Sequence, residues 1–254
     1  MSEKKVEIPI PGSNLKIHGV LRGKFTSPLA ILAPGLGGWM HDVIIFNASR
    51  YFEKHCIATL RVSFYGYDEN QRNIKDFDVK TAAEDIDTIV DFVSGKGTTR
   101  VAVIGHSYSG MAIVYSNNQK FDTAVLWDPS HTGGYDEPMA INNLQKDFIY
   151  IKKLDSYVSG NAGGDVISRK VFENYEPGST AMARKFKIPT LIVNADSSIE
   201  MKAYGQDYAD SINAPTDRFV IAGSTHSFTE DGALEKLYNV TLDWLQDRQN
   251  WDEI

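Results

Sequence analysis

Several short stretches of this chain are almost wholly apolar and stop abruptly at glycine, proline or a small polar residue. Leu29-Ala-Ile-Leu-Ala33, ended by Pro34-Gly35, is the clearest. A strand apolar at consecutive positions has both faces covered, which is the condition of a parallel sheet with helices on either side. Similar runs recur at 57–64, 101–104, 124–127 and 191–193, with 218–222 reading as a last strand. Between them the spacing turns helical. Val79, Ala83, Ile86, Val90 and Val93 fall three and four apart in a helix over 78–94, and Gly95 sits where a C-cap glycine belongs. Leu234, Leu237, Val240, Leu242 and Leu245 repeat the pattern over 232–249. Strands alternating with helices imply right-handed crossovers and an α/β architecture with a mostly parallel central sheet. Ahead of it, alternating residues at 6–10 and 15–21 flank Pro11-Gly12-Ser13-Asn14 as an antiparallel hairpin. The alternation breaks at 131–187, which is rich in glycine pairs and aromatics. This segment reads as a small lid inserted into a core made of 1–130 and 188–254.

The 254 residues, 42% apolar and 23% charged, are enough to build one large core without metals or disulfides. Cys56 is the single cysteine, so no internal disulfide can form and a reducing cytoplasm is the expected compartment. With 26 basic against 33 acidic residues and a net charge of −7, the chain has no phosphate-matching surface, which argues against nucleic acid as a partner. No stretch approaches the length of a membrane span. No glycine-rich phosphate loop and no paired metal-ligand spacing occurs, so neither a cofactor nor a metal is expected.

The strongest chemical signal follows the run 101–104. Gly105-His106-Ser107-Tyr108-Ser109-Gly110 leads into the helix-compatible Met111-Ala-Ile-Val-Tyr115, giving strand, sharp turn and helix. A serine at the apex of such a turn is lifted above the sheet, and small neighbours let strand and helix approach each other. A serine hydroxyl is a weak nucleophile near neutral pH and needs a base held by an acid. Asp196 follows the run Leu191-Ile-Val-Asn-Ala, and His226 follows Phe219-Val-Ile-Ala222; both sit where open parallel sheets gather ligands, past the C-terminal ends of strands.

With Ser107, Asp196 and His226 in that order, the sequence resembles the α/β-hydrolase family, and in size and layout its small bacterial serine esterases and acylglycerol-lipase-like enzymes. The resemblance covers nearly the whole chain and is weakest over 131–187. It implies the α/β-hydrolase fold, Ser107 as nucleophile, His226 as general base and then acid, and Asp196 as the carboxylate that orients it. It also implies an oxyanion hole from the backbone N–H groups of Tyr108 and Leu36, the latter in the loop Pro34-Gly35-Leu36-Gly37-Gly38. Two positions depart from the family pattern: Pro34 stands where histidine is frequent, and Ser109 where glycine is usual. Asp128, which also ends an apolar run, is the rival to Asp196, since some relatives carry the acid one strand earlier.

Trp39 and Met40 beside the oxyanion loop, with Met139, Leu144, Phe148 and Tyr150 in the insert, are candidates for the wall of an acyl or aryl pocket. His106 reads as a residue packing beside the turn. The expected activity is hydrolysis of carboxylic esters of small to medium acids, a small-molecule substrate with no cofactor. The same triad also serves thioesterases, carbon–carbon bond hydrolases and acyltransferases, and the fold has non-catalytic binding members; the sequence leaves these open, and the oligomeric state with them.

Overall fold

The computed structural model describes residues 3–66, 68–131, 148–159, 166–172 and 178–248. Strands β1 (Lys4–Pro9) and β2 (Lys16–Arg22) form the expected hairpin, with Ile8 opposite Ile17. Strands β3 (Leu29–Ala33), β4 (Ala58–Ser63), β5 (Val101–His106), β6 (Thr123–Trp127), β10 (Thr190–Ala195) and β11 (Thr216–Ile221) follow the apolar runs. They join in one eight-stranded sheet of order β1-β2-β4-β3-β5-β6-β10-β11. Pairing is antiparallel between β1, β2 and β4 and parallel from β4 onward.

The consecutive apolar residues serve two different cores. In β3, Leu29, Ile31 and Ala33 point to one face and Ala30 and Leu32 to the other; in β5, Val101 and Val103 separate from Ala102 and Ile104 in the same way. Helix α2 (Val79–Ser94) covers the first face with Ala82, Ala83, Ile86, Ile89, Val90 and Val93. Helices α1 (Val43–Lys54) and α6 (Ala233–Asp243) cover the second with Ile44, Ile45, Ala48, Phe52, Leu237 and Leu242. Each Val, Leu, Ile or Phe side chain among them contributes about 1.5–3 kcal/mol by leaving water, so burial on the two faces, rather than helix propensity, holds the helices against the sheet.

Helix α2 starts on a reciprocal cap. The Asp78 carboxylate accepts from Thr81 N at 2.8 Å, and the Thr81 hydroxyl accepts from Asp78 N at 2.8 Å. It ends at Gly95, the C-cap expected from the sequence, which is right-handed at φ −65°; the left-handed glycine is Gly97, two residues on, at φ +91°. The final helix is shorter than its periodicity suggests and passes into a π turn over Trp244–Arg248.

Between β6 and β10 the chain leaves the main sheet. Strands β7 (Phe148–Ile151), β8 (Ser156–Ser159) and β9 (Val166–Ser168) make a separate antiparallel sheet, followed by the short helix α4 (Ser179–Ala183). The Ser168 hydroxyl donates to the Lys75 carbonyl at 2.9 Å and ties this sheet to the body. The insert positions Met139 and Leu144 lie outside the described residues.

Candidate active site

Ser107 is the junction between β5 and helix α3 (Tyr108–Val114), with φ +54° and ψ −115°. A non-glycine residue is held there only when its surroundings over-determine it. The Ser107 N–H donates to Trp127 O on β6 at 2.8 Å, and the Ser130 N–H donates to Ser107 O at 3.0 Å. Glycine at position 105 is a steric requirement, because a Cβ there would stand 2.6 Å from the Ser109 carbonyl carbon. The Ser107 hydroxyl does not cap α3; it pairs with the Ser130 hydroxyl at 3.2 Å. Ser130 is fixed in turn by Tyr208, whose hydroxyl donates to its carbonyl at 2.7 Å.

Asp128 closes β6 at φ +44° and is completely buried. Its N–H continues the sheet ladder to Val193 O at 2.7 Å. One carboxylate oxygen, Oδ1, accepts from Asn194 Nδ2 at 3.1 Å and Ala195 N at 3.0 Å, and the other, Oδ2, accepts from His226 Nδ1 at 2.7 Å. Three donors thus replace the water this carboxylate has lost. Because Nδ1 donates to an ionised carboxylate, the neutral His226 ring carries its lone pair on Nε2.

His226 sits on the loop after β11. Its carbonyl accepts from His106 Nε2 at 2.9 Å, and the two imidazoles stack at 4.7 Å and 34°. Burial holds His106 well below the usual histidine range, at about 4, helped by the neighbouring His226. His106 is therefore a neutral packing partner, as its place beside the turn suggests.

The expectation that Asp196 orients His226 is not met. The Asp196 carboxylate accepts from Lys202 Nζ at 3.1 Å and from Gly223 N at 3.3 Å, and its side chain is about half exposed. The Lys202 bond, more than the Gly223 N–H, holds its pKa below the ordinary value. The difference is one of strand order: β6 lies next to β5, which carries Ser107, whereas β10 lies one strand further out. Asp128 at positive φ turns inward under the histidine loop, and Asp196, past the end of β10, turns out to a lysine. Asp196 and Ser197 instead brace that loop, the Ser197 hydroxyl and N–H both donating to Ser224 O at 2.8 and 3.0 Å.

The loop after β3 lies against Ser107. A Cβ on Gly35 would be 3.4 Å from Ser107 Cβ and 3.2 Å from His106 Nδ1. The Ser109 hydroxyl, at the position where glycine was the expected residue, donates to Pro34 O and joins the turn to this loop. Gly37 N–H donates to Tyr65 Oη at 2.8 Å, Trp39 N–H to Asp42 Oδ2 at 3.1 Å and Met40 N–H to Ser63 Oγ at 3.0 Å. Leu36 N–H has no hydrogen-bond partner among the described residues. Arg61, wholly buried in β4, donates to Met40 O at 3.2 Å and to Glu3 Oε1 at 2.8 Å.

The four pocket candidates among the described residues are spread out. Trp39 is more than half exposed and meets His41 edge to face at 5.0 Å, and the bonds of Met40 given above are made by its backbone. Phe148 and Tyr150 lie on β7, where Tyr150 pairs with Tyr157 and donates to Asp155 Oδ1 at 2.7 Å. None of the four makes a hydrogen bond or ring contact with Ser107 or His226. The sequence reading passed over Asn194 and Ser130. A lone asparagine inside an otherwise apolar run was the visible sign of the first; nothing in the sequence separates Ser130 from an ordinary turn residue.

Among the described residues, no group of three or more His, Cys, Asp or Glu side chains could hold a metal ion, and no helix is long and apolar enough to cross a membrane.

Comparison with known structures gives the same architecture. The chain is similar to the α/β hydrolase GrgF from Penicillium sp. sh18, with a TM-score of 0.77 at 16% identity over 97% of this chain and 99% of that one. Est1E from Butyrivibrio proteoclasticus is similar with a TM-score of 0.72 at 16% identity over 97% and 99%. A dienelactone hydrolase from Anabaena variabilis ATCC 29413 gives 0.71 at 14% identity over 97% of both chains. No curated protein sequence matches the chain. The sequence model of the alpha/beta hydrolase family matches residues 30–237, and the chain belongs to that family.

Proposed function

We propose that the protein is a serine hydrolase that cleaves carboxylic esters of small to medium acyl or aryl acids through a covalent acyl-enzyme, with Ser107, His226 and Asp128 as its triad. The observation that carries this reading is the 2.7 Å bond from His226 Nδ1 to buried Asp128, with the His226 ring packed on His106, the residue before a serine held at φ +54°. The ester class is favoured by neighbours of the same fold, an esterase domain from a Rhodothermus marinus protein and Est1E, one structure of which has ferulic acid bound. A cytoplasmic setting belongs to the same reading and rests on the lone Cys56, and the insertion between β6 and β10 is read as a lid.

In this mechanism the Ser107 hydroxyl leaves Ser130 and attacks the ester carbonyl carbon while its proton passes to His226 Nε2. Asp128 stabilises the imidazolium and keeps Nδ1 protonated. The carbonyl oxygen becomes an oxyanion held by the backbone N–H groups of Leu36 and Tyr108; loss of one such donor typically costs about 3–4 kcal/mol of transition-state stabilisation. The tetrahedral intermediate collapses, the C–O bond to the alcohol breaks, and the alcohol departs with the proton from His226. Water, deprotonated by the same nitrogen, then attacks the acyl-enzyme and releases the acid and free Ser107.

Hydrolysis of p-nitrophenyl esters from acetate to palmitate by wild type and Ser107→Ala tests this. The expected result is turnover of the short and medium esters that disappears in the variant, with covalent labelling of wild type alone by a fluorophosphonate. Equal activity in both proteins, or a labelled Ser107→Ala, would remove Ser107 from the role of nucleophile.

A further inference from the structure

Asn194 is a polar residue with no exposed surface, next to last in a wholly buried strand, and every polar atom of its amide is engaged. Nδ2 donates to Asp128 Oδ1 at 3.1 Å and to Met201 O at 2.9 Å, and Oδ1 accepts from Arg218 Nε at 3.0 Å. A guanidinium only donates and a backbone carbonyl only accepts, so the amide can stand in one sense alone, oxygen toward Arg218 and nitrogen toward Asp128. Arg218 is held across helix α5 (Ile199–Ser211) by Gln206 Oε1 at 3.0 Å and Lys202 O at 2.9 Å. The same helix makes room for the amide at Gly205, where a Cβ would stand 2.0 Å from Asn194 Oδ1 and 2.7 Å from its Cγ. Glycine is a poor residue for a helix interior, and here the amide requires it.

The effect at Asp128 is directional. With Asn194 Nδ2 and Ala195 N both on Oδ1, the carboxylate cannot rotate about its Cβ–Cγ bond without losing two donors, and Oδ2 is left for His226. We propose that Asn194 is a positioning residue, whose amide, socketed by Arg218, Met201 O and Gly205, fixes the rotation of the Asp128 carboxylate and through it the ring of His226. The inference rests on the triad reading given above, and its test is chosen so that the two can fail separately.

The test compares the low-field proton resonance of His226 Nδ1–H, identified by its loss in His226→Gln, across variants of the full chain, together with kcat and KM on a p-nitrophenyl ester. Gly205→Ala places a methyl group against the amide and, in a protein that still unfolds cooperatively, displaces or broadens the resonance. It lowers kcat about tenfold with KM within about twofold, as a misplaced catalytic group does. Asn194→Ala does the same, and adding Gly205→Ala to it causes no further loss, because the amide that the methyl would strike is gone. Arg218→Met, which removes the partner of the amide oxygen, moves the resonance without touching α5 at Gly205. A Gly205→Ala protein with wild-type resonance and kcat overturns the proposal, and so do losses that multiply in the double variant, since the helix would then act independently of Asn194. Should wild type hydrolyse no ester at all, the triad reading falls, while the resonance comparison still decides whether Asn194 sets the Asp128–His226 pair.

Discussion

His226 Nδ1 lies 2.7 Å from Asp128 Oδ2, across 98 residues of chain, and the histidine loop reaches that carboxylate over the end of β10. Asp196, closer in sequence and at the end of that intervening strand, supports the loop from outside through Gly223 N–H. The two aspartates therefore separate into a buried acid and an exposed brace, and their substitutions should separate as sharply.

Asp128→Asn keeps the size of the side chain but turns an acceptor-only group into one that can donate toward Nδ1, which selects the wrong imidazole tautomer. The expected fall in kcat is about 10³- to 10⁴-fold. Asp196→Asn removes only a partly exposed pair with Lys202, and such pairs contribute about 0–1 kcal/mol, so activity should stay within about threefold of wild type. Steady-state kinetics on one short p-nitrophenyl ester checks both. A reversal of that order would return the acid to Asp196.

The alternation of apolar runs with helical spacing was enough to read the sheet, because a strand buried on both faces leaves a mark in every residue: Leu29 to Ala33 shows it without exception, and Gly105 to Gly110 shows the turn. The choice between Asp128 and Asp196 was not legible, since both end apolar runs and only strand order, a long-range property, puts β6 between β5 and β10. The three-stranded sheet of the insert was equally hidden. Ile149, Tyr150 and Ile151 are exposed on β7, so no alternation of buried and exposed residues marks it. Arg61 was masked for the opposite reason, being a charged residue wholly buried inside β4.

That buried arginine gives a stability prediction. Its guanidinium lies 4.8 Å from the Phe46 ring and reaches Met40 O and Glu3, while burial holds its pKa below the usual arginine value. Arg61→Met fills the space and leaves Glu3 with Arg22, 2.9 Å away, so no carboxylate is stranded. The expected cost is about 1–2 kcal/mol, from the Met40 carbonyl left without its donor, rather than the 3–5 kcal/mol of a broken buried pair. Urea denaturation measures it, and a loss at the larger figure would mean Glu3 depends on Arg61 alone.

Ser109 joins the nucleophile turn to the oxyanion loop through Pro34 O. Removing the hydroxyl in Ser109→Ala frees the loop that carries Leu36 without altering Ser107, His226 or Asp128. The expectation is kcat lowered about 5- to 20-fold, KM nearly unchanged and stability reduced by about 1 kcal/mol. A fall in KM-weighted efficiency with kcat intact would instead assign Ser109 to substrate binding.

Acid sensitivity should trace in part to His106. Its folded pKa, about 4, lies below the unfolded value of about 6.5, so the unfolded chain binds the extra proton first. The contribution is fully present above pH 6.5 and is lost as pH falls toward 4, on the order of 2 kcal/mol after allowance for the partial exposure of the residue. Asp85 works in the opposite direction: burial raises its carboxyl to about 6 despite Arg72 at 2.7 Å, so protonation between pH 6 and 4 favours the folded state. The two partly cancel in wild type, and His106→Gln, which keeps a donor for the His226 carbonyl, removes one side of the balance. The urea midpoint at pH 7 minus that at pH 4.5 should therefore shift toward greater relative stability at pH 4.5 in His106→Gln, where Asp85 is left unopposed. An unchanged gap would show that His106 titrates alike in the folded and unfolded chains.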